Sequence, residues 1–181
     1  MPEVGGHLRC PQPLVAFPHA LPRLLSIVCY LLVVVPMTIR ELQVEDAEQV
    51  GALWQEAFPG EHHEVAGQLA LKLSRDPDLA LGAFEGGRLL GTILGGWDGW
   101  RAWIYRLAVS KGARRRGIAR VLTEEVERRL CAKNALRARL MYYGGSQEAQ
   151  QFWLAMGYRP FTMVGVMGRS LDQPRQPYAH R

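Results

Sequence analysis

A chain of 181 residues holds one domain of ordinary size and is too short for two, since domains cluster at roughly 100 to 150 residues. Apolar residues at 48% and charged residues at 22% exclude a disordered or collagen-like chain. The 22 Lys and Arg against 17 Asp and Glu give +5 with neutral histidines, a sign that attracts an anionic ligand, nucleic acid or an acidic surface without choosing among them. Cys10, Cys29 and Cys131 show neither zinc-ligand spacing nor the density of a disulfide scaffold, so a reduced, cytoplasmic setting fits best.

Residues 1–36 differ from the rest. Pro2, Pro11, Pro13, Pro18, Pro22 and Pro36 interrupt them, and Glu3 is their one acid. The apolar run Leu24–Val35 is twelve residues long. As a helix it reaches about 18 Å, short of the roughly 30 Å of a bilayer core. Pro36-Met37-Thr38 is a poor cleavage site for a signal peptide. Met37 opens MTIRELQVEDAEQVGALW, where strand-type alternation passes into a capped helix, as at the start of a domain. We read residues 1–36 as an N-terminal extension, disordered or a gene-model artefact, with 37–170 as the domain and 171–181 as a tail. Without the extension the charge is +4, so the basic bias belongs to the domain.

Thr38–Leu42 reads as a short strand. Asp46, three residues before Gln49, predicts a capping box that opens a helix carrying Val50, Leu53, Trp54 and Ala57 at helical spacing, ended by Pro59-Gly60. A second amphipathic helix is predicted over His62–Ser74, with Val65, Leu69 and Leu73 on one stripe, before the turn Asp76-Pro77-Asp78. Leu79–Phe84 and Arg88–Gly95 read as an antiparallel pair joined at Gly86-Gly87, where both residues tolerate positive φ. The turn Gly95–Gly99 leads to a third strand over Trp100–Val109. After the loop Ser110–Arg116, Ala119, Leu122, Val126 and Leu130 mark a helix. A strand over Arg137–Tyr142, a helix over Ser146–Met156 and a last strand over Phe161–Arg169 complete the order. Hairpins followed by crossover helices imply an α+β fold, a mixed sheet with helices on its faces.

The stretch that carries chemistry runs from Leu107 to Arg120. A core strand enters a loop that opens a helix, where free N–H groups and the helix dipole favour an anion such as a pyrophosphate. Gly117 lets the backbone approach, Ala119 keeps the first turn uncrowded, and the arginines add charge. Physics alone leaves other readings open, because an Arg triplet beside a helix also suits a solvated face or a nucleic-acid patch.

The order of elements narrows them. Arg114-x-x-Gly117-x-Ala119, between a sheet strand and an amphipathic helix, resembles the acetyl-CoA signature of the GNAT superfamily of N-acetyltransferases: Gln or Arg, two residues, Gly, one residue, then Gly or Ala. Gly91-Thr92-Ile93, the helix opened by Asp46, and Ser146-x-x-Ala149-x-x-Phe152-Trp153-x-x-x-Gly157-Tyr158 are similar to further superfamily features. The run from Gly91-Thr92 through Gly95-Gly96-Trp97-Asp98-Gly99 to Arg101 and Tyr105 looks like that of the small bacterial YpeA-type branch. The resemblance covers about Thr38 to Arg169.

It implies a mostly antiparallel mixed sheet splayed beside Leu107, Ala108 and Val109, and acetyl-CoA as cosubstrate. Direct transfer of an acetyl group to an amine would follow, on a small molecule or a protein or peptide. The amide of Leu107 or Ala108 would meet the thioester carbonyl, an interaction worth roughly 3 to 4 kcal/mol in other acyl transfers. The pyrophosphate would lie on the amides of Arg115, Arg116, Gly117, Ile118, Ala119 and Arg120, with Arg114 adding charge. Ser146 and Trp153 would contact CoA further along the chain.

Three positions depart from the superfamily pattern, one of them Ser146, which stands where an Asn usually opens the last helix and can still cap it. A Glu often found on the strand before the loop falls at Trp103, and a Tyr often proposed as acid falls at Trp153. Tyr105 and Asp98 are the remaining acid–base candidates, beside a water-mediated base. Packing and turn-forming are the plainer roles for those two. The replacements keep a non-catalytic acyl-CoA-binding or interaction module of the same fold as the alternative, with a basic nucleic-acid binder behind it. Trp97, Trp100 and Trp103 suit an acceptor pocket or plain packing. His62-His63 gives no metal site, since adjacent helical residues face apart and no third ligand is evident. Cys131 reads as an inert filler, and Arg128, Arg129, Arg137 and Arg139 as solvated surface. Neither nucleic acid nor membrane is expected as a partner, and a homodimer is left open.

Overall fold

Strand β1 (Thr38–Glu41) alternates exposed and half-buried residues, as a strand with one covered face must, and pairs antiparallel with β2 (Ala80–Glu85). In the computed structural model, residues 36–59, 65–143 and 145–161 are described. The extension before Pro36, the His62-His63 pair, the expected last strand beyond Phe161 and the tail lie outside the described residues. The chain divides into one unit ending at Met141 and another beginning at Tyr142.

In the first unit, β2 turns back through Gly86 and Gly87, at φ +57° and +81°, into β3 (Arg88–Trp97). Both values lie in the left-handed region that a tight two-residue hairpin requires. A second hairpin leads to β4 (Ala102–Val109), and β5 (Ala138–Leu140) returns parallel to β4 after a crossover helix. Among the described residues the sheet order is β1-β2-β3-β4-β5, antiparallel except for its last pair.

Helices α1 (Ala47–Ala57) and α2 (Val65–Arg75) cover one face. Val50, Leu53, Trp54 and Leu69 pack there with Leu42, Phe84, Leu89 and Leu94. The crossover helix α3 (Ile118–Ala132) covers the other, burying Ile118, Leu122, Thr123, Val126 and Leu130. Its closeness to the sheet depends on Gly91: a Cβ there would stand 2.9 Å from the Ala108 carbonyl oxygen, 3.1 Å from Ile118 and 3.2 Å from Leu122.

Three expectations change. Asp46 does not cap α1 with Gln49; a short 3-10 turn over Val44–Asp46 precedes the helix. The Asp46 carboxylate takes both Arg40 guanidinium nitrogens at 2.8 Å and the Gln43 N–H at 2.8 Å. A bidentate charged pair outcompetes a cap, and it holds the Asp46 carboxyl below its ordinary range. Gln49 is freed to span α1 and the hairpin: its Oε1 accepts from Leu89 N at 2.8 Å and its Nε2 donates to the Gly87 carbonyl at 3.2 Å. The second change is at the end of α3. Arg129 is no solvated residue, for it donates to Glu125, to Glu41 at 2.6 Å and to the Asp78 carbonyl at 2.8 Å. Cys131 is exposed instead of filling space.

The second unit contains α4 (Gln147–Ala155), capped by Ser146, whose Oγ accepts from Ala149 N at 3.3 Å.

Gly91→Val should cost about 1 to 3 kcal/mol by overpacking β3 against α3. The midpoint of urea unfolding, at an unaltered m-value, checks this.

Candidate active site

The register between β3 and β4 slips once. Thr92 faces Ala108 and Leu94 faces Tyr105, so Arg106 and Leu107 together oppose Ile93. This is a bulge, with Arg106 at φ +54°, a left-handed value that is uncommon outside glycine. A buried chain of hydrogen bonds fixes it. The Trp54 indole N–H donates to Thr92 Oγ1 at 2.9 Å, and the Thr92 hydroxyl donates to the Arg106 carbonyl at 3.0 Å. The Arg106 guanidinium then lies over the rings of Trp54 and Phe58, 5.0 and 5.1 Å from their centroids.

Beyond the bulge β4 loses a neighbour. Its pairing with β5 covers Ala102, Trp103 and Ile104 only, so from Tyr105 to Val109 it pairs with β3 alone among the described residues. Ser110 N donates inward to the Leu90 carbonyl at 2.9 Å. By strand alternation Ala108 also directs its backbone groups to β3, whereas Leu107 and Val109 direct theirs to the open edge.

The open edge leads straight to the start of α3. After a 3-10 turn over Lys111–Ala113, whose first N–H is held by Glu56 at 2.8 Å, the chain passes through Arg115 at φ +65° and Gly117 at φ +79°. The first helical bond runs from Val121 N to the Gly117 carbonyl. The N–H groups of Gly117, Ile118, Ala119 and Arg120 are thus the four orphan donors of the helix. No described atom lies within 4 Å of where a Gly117 Cβ would stand.

The arginines divide their tasks. Arg116 is ion-paired with Glu85 on the β2–β3 hairpin, which keeps that carboxyl below its ordinary range. Arg120 reaches Glu124 at 3.9 Å along the helix, and Arg114 Nε approaches the Val109 carbonyl at 3.5 Å. Arg115 is exposed at the left-handed turn.

On the α1/α2 face of the bulge lies a cavity of about 250 Å³, lined by Trp54, Gln68, Leu69, Lys72, Leu94, Tyr105 and Arg106. Burial, with the nearby Asp76 charge, pushes the Tyr105 phenol above its ordinary pKa. The Lys72 ammonium donates to Asp76 Oδ2 at 2.7 Å and to the Gly95 carbonyl, and burial lowers its pKa against the pull of Asp76. Its Nζ lies 5.8 Å from the centre of the Tyr105 ring.

Tyr105 is therefore brought to a cavity beside the open edge; Asp98 is not. The Asp98 carboxylate accepts the N–H groups of Trp100 at 2.7 Å and Arg101 at 2.5 Å, closing the β3–β4 turn. Trp97, Trp100 and Trp103 are absent from the described lining, and Trp100 is 82% exposed. Ser146 and Trp153 belong to the second unit, where Trp153 is buried edge-to-face between Phe152 and Tyr158, each ring centre 5.0 Å away. Gln68, Lys72 and Arg106 were not anticipated. The first two flank the apolar stripe of α2 and read as solvated, while strict alternation sends Arg106 to the face opposite Tyr105. Among the described residues no group of three His, Cys, Asp or Glu could hold a metal ion, and no helix is long and apolar enough to cross a membrane.

Residues 39–158 match the acetyltransferase (GNAT) family. The chain is 32% identical over 143 residues to an acetyltransferase of Sodalis glossinidius, covering 77% of this chain and 99% of that one. An acetyltransferase of Pectobacterium atrosepticum is 36% identical with the same coverage. Among solved structures, the PaiA N-acetyltransferase of Thermoplasma acidophilum in complex with coenzyme A is similar at a TM-score of 0.64 and 22% identity, over 72% of this chain and 94% of that one. Chaetomium thermophilum Naa20 in complex with a bisubstrate analogue is similar at 0.59 and 25%, over 66% and 69%. With an outer β4 edge that has no described partner beyond Ile104 and an exposed helix start, the molecule has the architecture of an acyl-CoA-using transferase, and the chain belongs to the GNAT acetyltransferase family. It is an acetyl-CoA-dependent N-acetyltransferase. Its residues fit that cosubstrate, since orphan amides, basic side chains and an uncrowded Gly117 meet at the end of this strand.

Thr92→Val removes the acceptor of the buried Trp54 N–H and should cost about 1 to 3 kcal/mol. Combined with Trp54→Phe it should cost less than the two single changes added, because no buried donor is then left unpaired. A double-mutant cycle from equilibrium unfolding measures the difference.

Proposed function

We propose that the protein acetylates a primary amine by direct attack on the thioester of acetyl-CoA, using the cavity beside Tyr105 for the acceptor. The observation that carries this reading is the outer β4 edge from Tyr105 to Val109, unpaired among the described residues, running into the Gly117-capped start of α3. Acetyl-CoA supplies the activated acyl group, so the protein has to align, stabilise charge and move protons. Leu107 and Val109 hold the pantetheine arm by their outward backbone groups. The Leu107 N–H, rather than that of Ala108, is the donor to the thioester oxygen, because Ala108 spends its own on β3. The amides from Arg115 to Arg120 take the pyrophosphate in the positive end of the helix dipole. Arg114 and Arg115 supply charge, while Arg116 contributes its N–H and leaves its side chain with Glu85. Ser146 and Trp153 enter as CoA contacts on their motif alone.

An amine of pKa near 10.4 must lose a proton before attack. In this reading a water-mediated base accepts that proton. Tyr105 is the proton donor to the departing thiolate. Its raised pKa keeps the phenol protonated throughout the neutral range, which suits an acid and excludes a base. Asp98 serves the turn. We place the enzyme in the cytoplasm, with neither nucleic acid nor membrane as a partner; a homodimer remains compatible with this assignment.

Gly117→Glu should weaken acetyl-CoA binding at least tenfold by calorimetry, while Gly117→Ala, which pays the same left-handed backbone cost of roughly 1 to 2 kcal/mol, should weaken it far less. Equal losses would refute the pyrophosphate assignment. Tyr105→Phe should lower kcat by about 10²-fold with little change in KM for acetyl-CoA. In the parent enzyme, kcat should rise with pH as the amine deprotonates and show no falling limb until above about pH 10, because the phenol pKa lies above its ordinary value of 10.0. A falling limb near neutrality would remove Tyr105 from this role.

A further inference from the structure

The loop between β4 and α3 has a backbone that its own hydrogen bonds only partly fix. Arg115 is left-handed at φ +65° and Gly117 at φ +79°, and only a glycine adopts such values freely. Backbone bonds secure the entry to the loop, from Ser110 N to the Leu90 carbonyl, from Ala113 N to that of Ser110 and from Arg114 N to that of Lys111. Ala113 is buried as well. Among the described residues, the next backbone N–H of this segment to find a carbonyl is that of Val121, on Gly117. A left-handed Arg115 in this stretch persists only where its surroundings impose it.

Two carboxylates from other elements supply that constraint. Glu56, in the last turn of α1, accepts the Lys111 N–H at 2.8 Å. Glu85, at the end of β2, meets the Arg116 guanidinium with both oxygens, Oε2 lying 3.3 Å from Nη1. One acid therefore grips the chain before Arg115 and the other grips it directly after. Their supports are joined, because Gln49 of α1 bonds Leu89 N and the Gly87 carbonyl of the hairpin. Helix α1 and the β2–β3 hairpin thus form one frame around the loop.

Charge alone argues against this placement, since an acid beside a loop that receives an anion repels the ligand. Geometry is what these two contribute. We propose that Glu56 and Glu85 are positioning residues for acetyl-CoA, acting through Lys111 and Arg116 to hold the loop in its binding conformation before the cofactor arrives. This rests on the amides from Arg115 to Arg120 being the pyrophosphate site proposed above. A loop that visits the competent conformation only part of the time binds with an affinity reduced by that fraction.

The test uses the full chain with Glu56→Ala, Glu85→Ala and the matching Gln variants, which keep an acceptor oxygen and lose the charge. Acetyl-CoA affinity is measured by calorimetry, KM and kcat by thiol release, and the unfolding midpoint in urea. Each Ala variant should bind acetyl-CoA about three- to tenfold more weakly, with the change in KM for acetyl-CoA and not in kcat. Each Gln variant should bind more tightly than its Ala counterpart. A purely electrostatic role has the opposite sign, since removing either acid would then strengthen binding. A purely structural role would move the unfolding midpoint and leave affinity unchanged. If the Ala variants bind as tightly as the parent or more so, or no more weakly than the Gln variants, while Gly117→Glu still binds more weakly than Gly117→Ala, this proposal is overturned and the pyrophosphate assignment stands. If the two Gly117 variants lose equally, both fall.

Discussion

The bulge in β4 is the constraint from which the rest of the site follows. Holding Arg106 at a left-handed φ costs energy that a strand does not ordinarily bear. It persists because Thr92 Oγ1 accepts from Trp54 and donates to the Arg106 carbonyl, in a place where an unpaired group would be costly. One hydroxyl thereby joins α1, β3 and β4 at the point where strand pairing has to end. A regular β4 would keep Arg106 on the face opposite Tyr105.

The open edge and the helix start then act as one device. Parallel pairing with β5 stops at Ile104, and five residues later the strand enters the turn that opens α3. Donors along the edge and donors at the helix end are thus aligned along a single path, with the apolar face of α3 anchored beneath Gly91. The small size of Gly91 is what lets the helix sit low enough for that alignment. Fold stability and ligand geometry consequently share residues here.

Charge is also sorted by position. Arg40, Arg116 and Arg129 each bond a named acid, and so knit β1 to the turn before α1, the β2–β3 hairpin to the loop before α3, and α3 to the sheet edge. These pairs are partly exposed and contribute modestly to stability. Their larger effect is to fix the loop at whose left-handed turn Arg115 stays exposed.

Much of this was legible in the chain. Hydrophobic spacing set out the described strands and helices in the right order but not the short 3-10 turns, Gly86-Gly87 marked the hairpin, and Arg114-x-x-Gly117-x-Ala119 marked the family, because local periodicity and turn chemistry depend on neighbouring residues. Asp46 shows the limit. Its spacing to Gln49 fits a cap, yet Arg40, brought across by the start of the domain, bonds it better. The last helix was read correctly with its Ser146 cap, since a cap is local too.

The sequence by itself determined the order of the strands and helices and the family to which the chain belongs. Only the tertiary structure decided that Tyr105 and Arg106 share one cavity, that Asp98 serves a turn, and that Lys72 lines that cavity. Alternation predicts side-chain direction only while a strand stays regular. The bulge that breaks it is held by Trp54 and Thr92, 38 residues apart, a contact that exists only after the layers have packed.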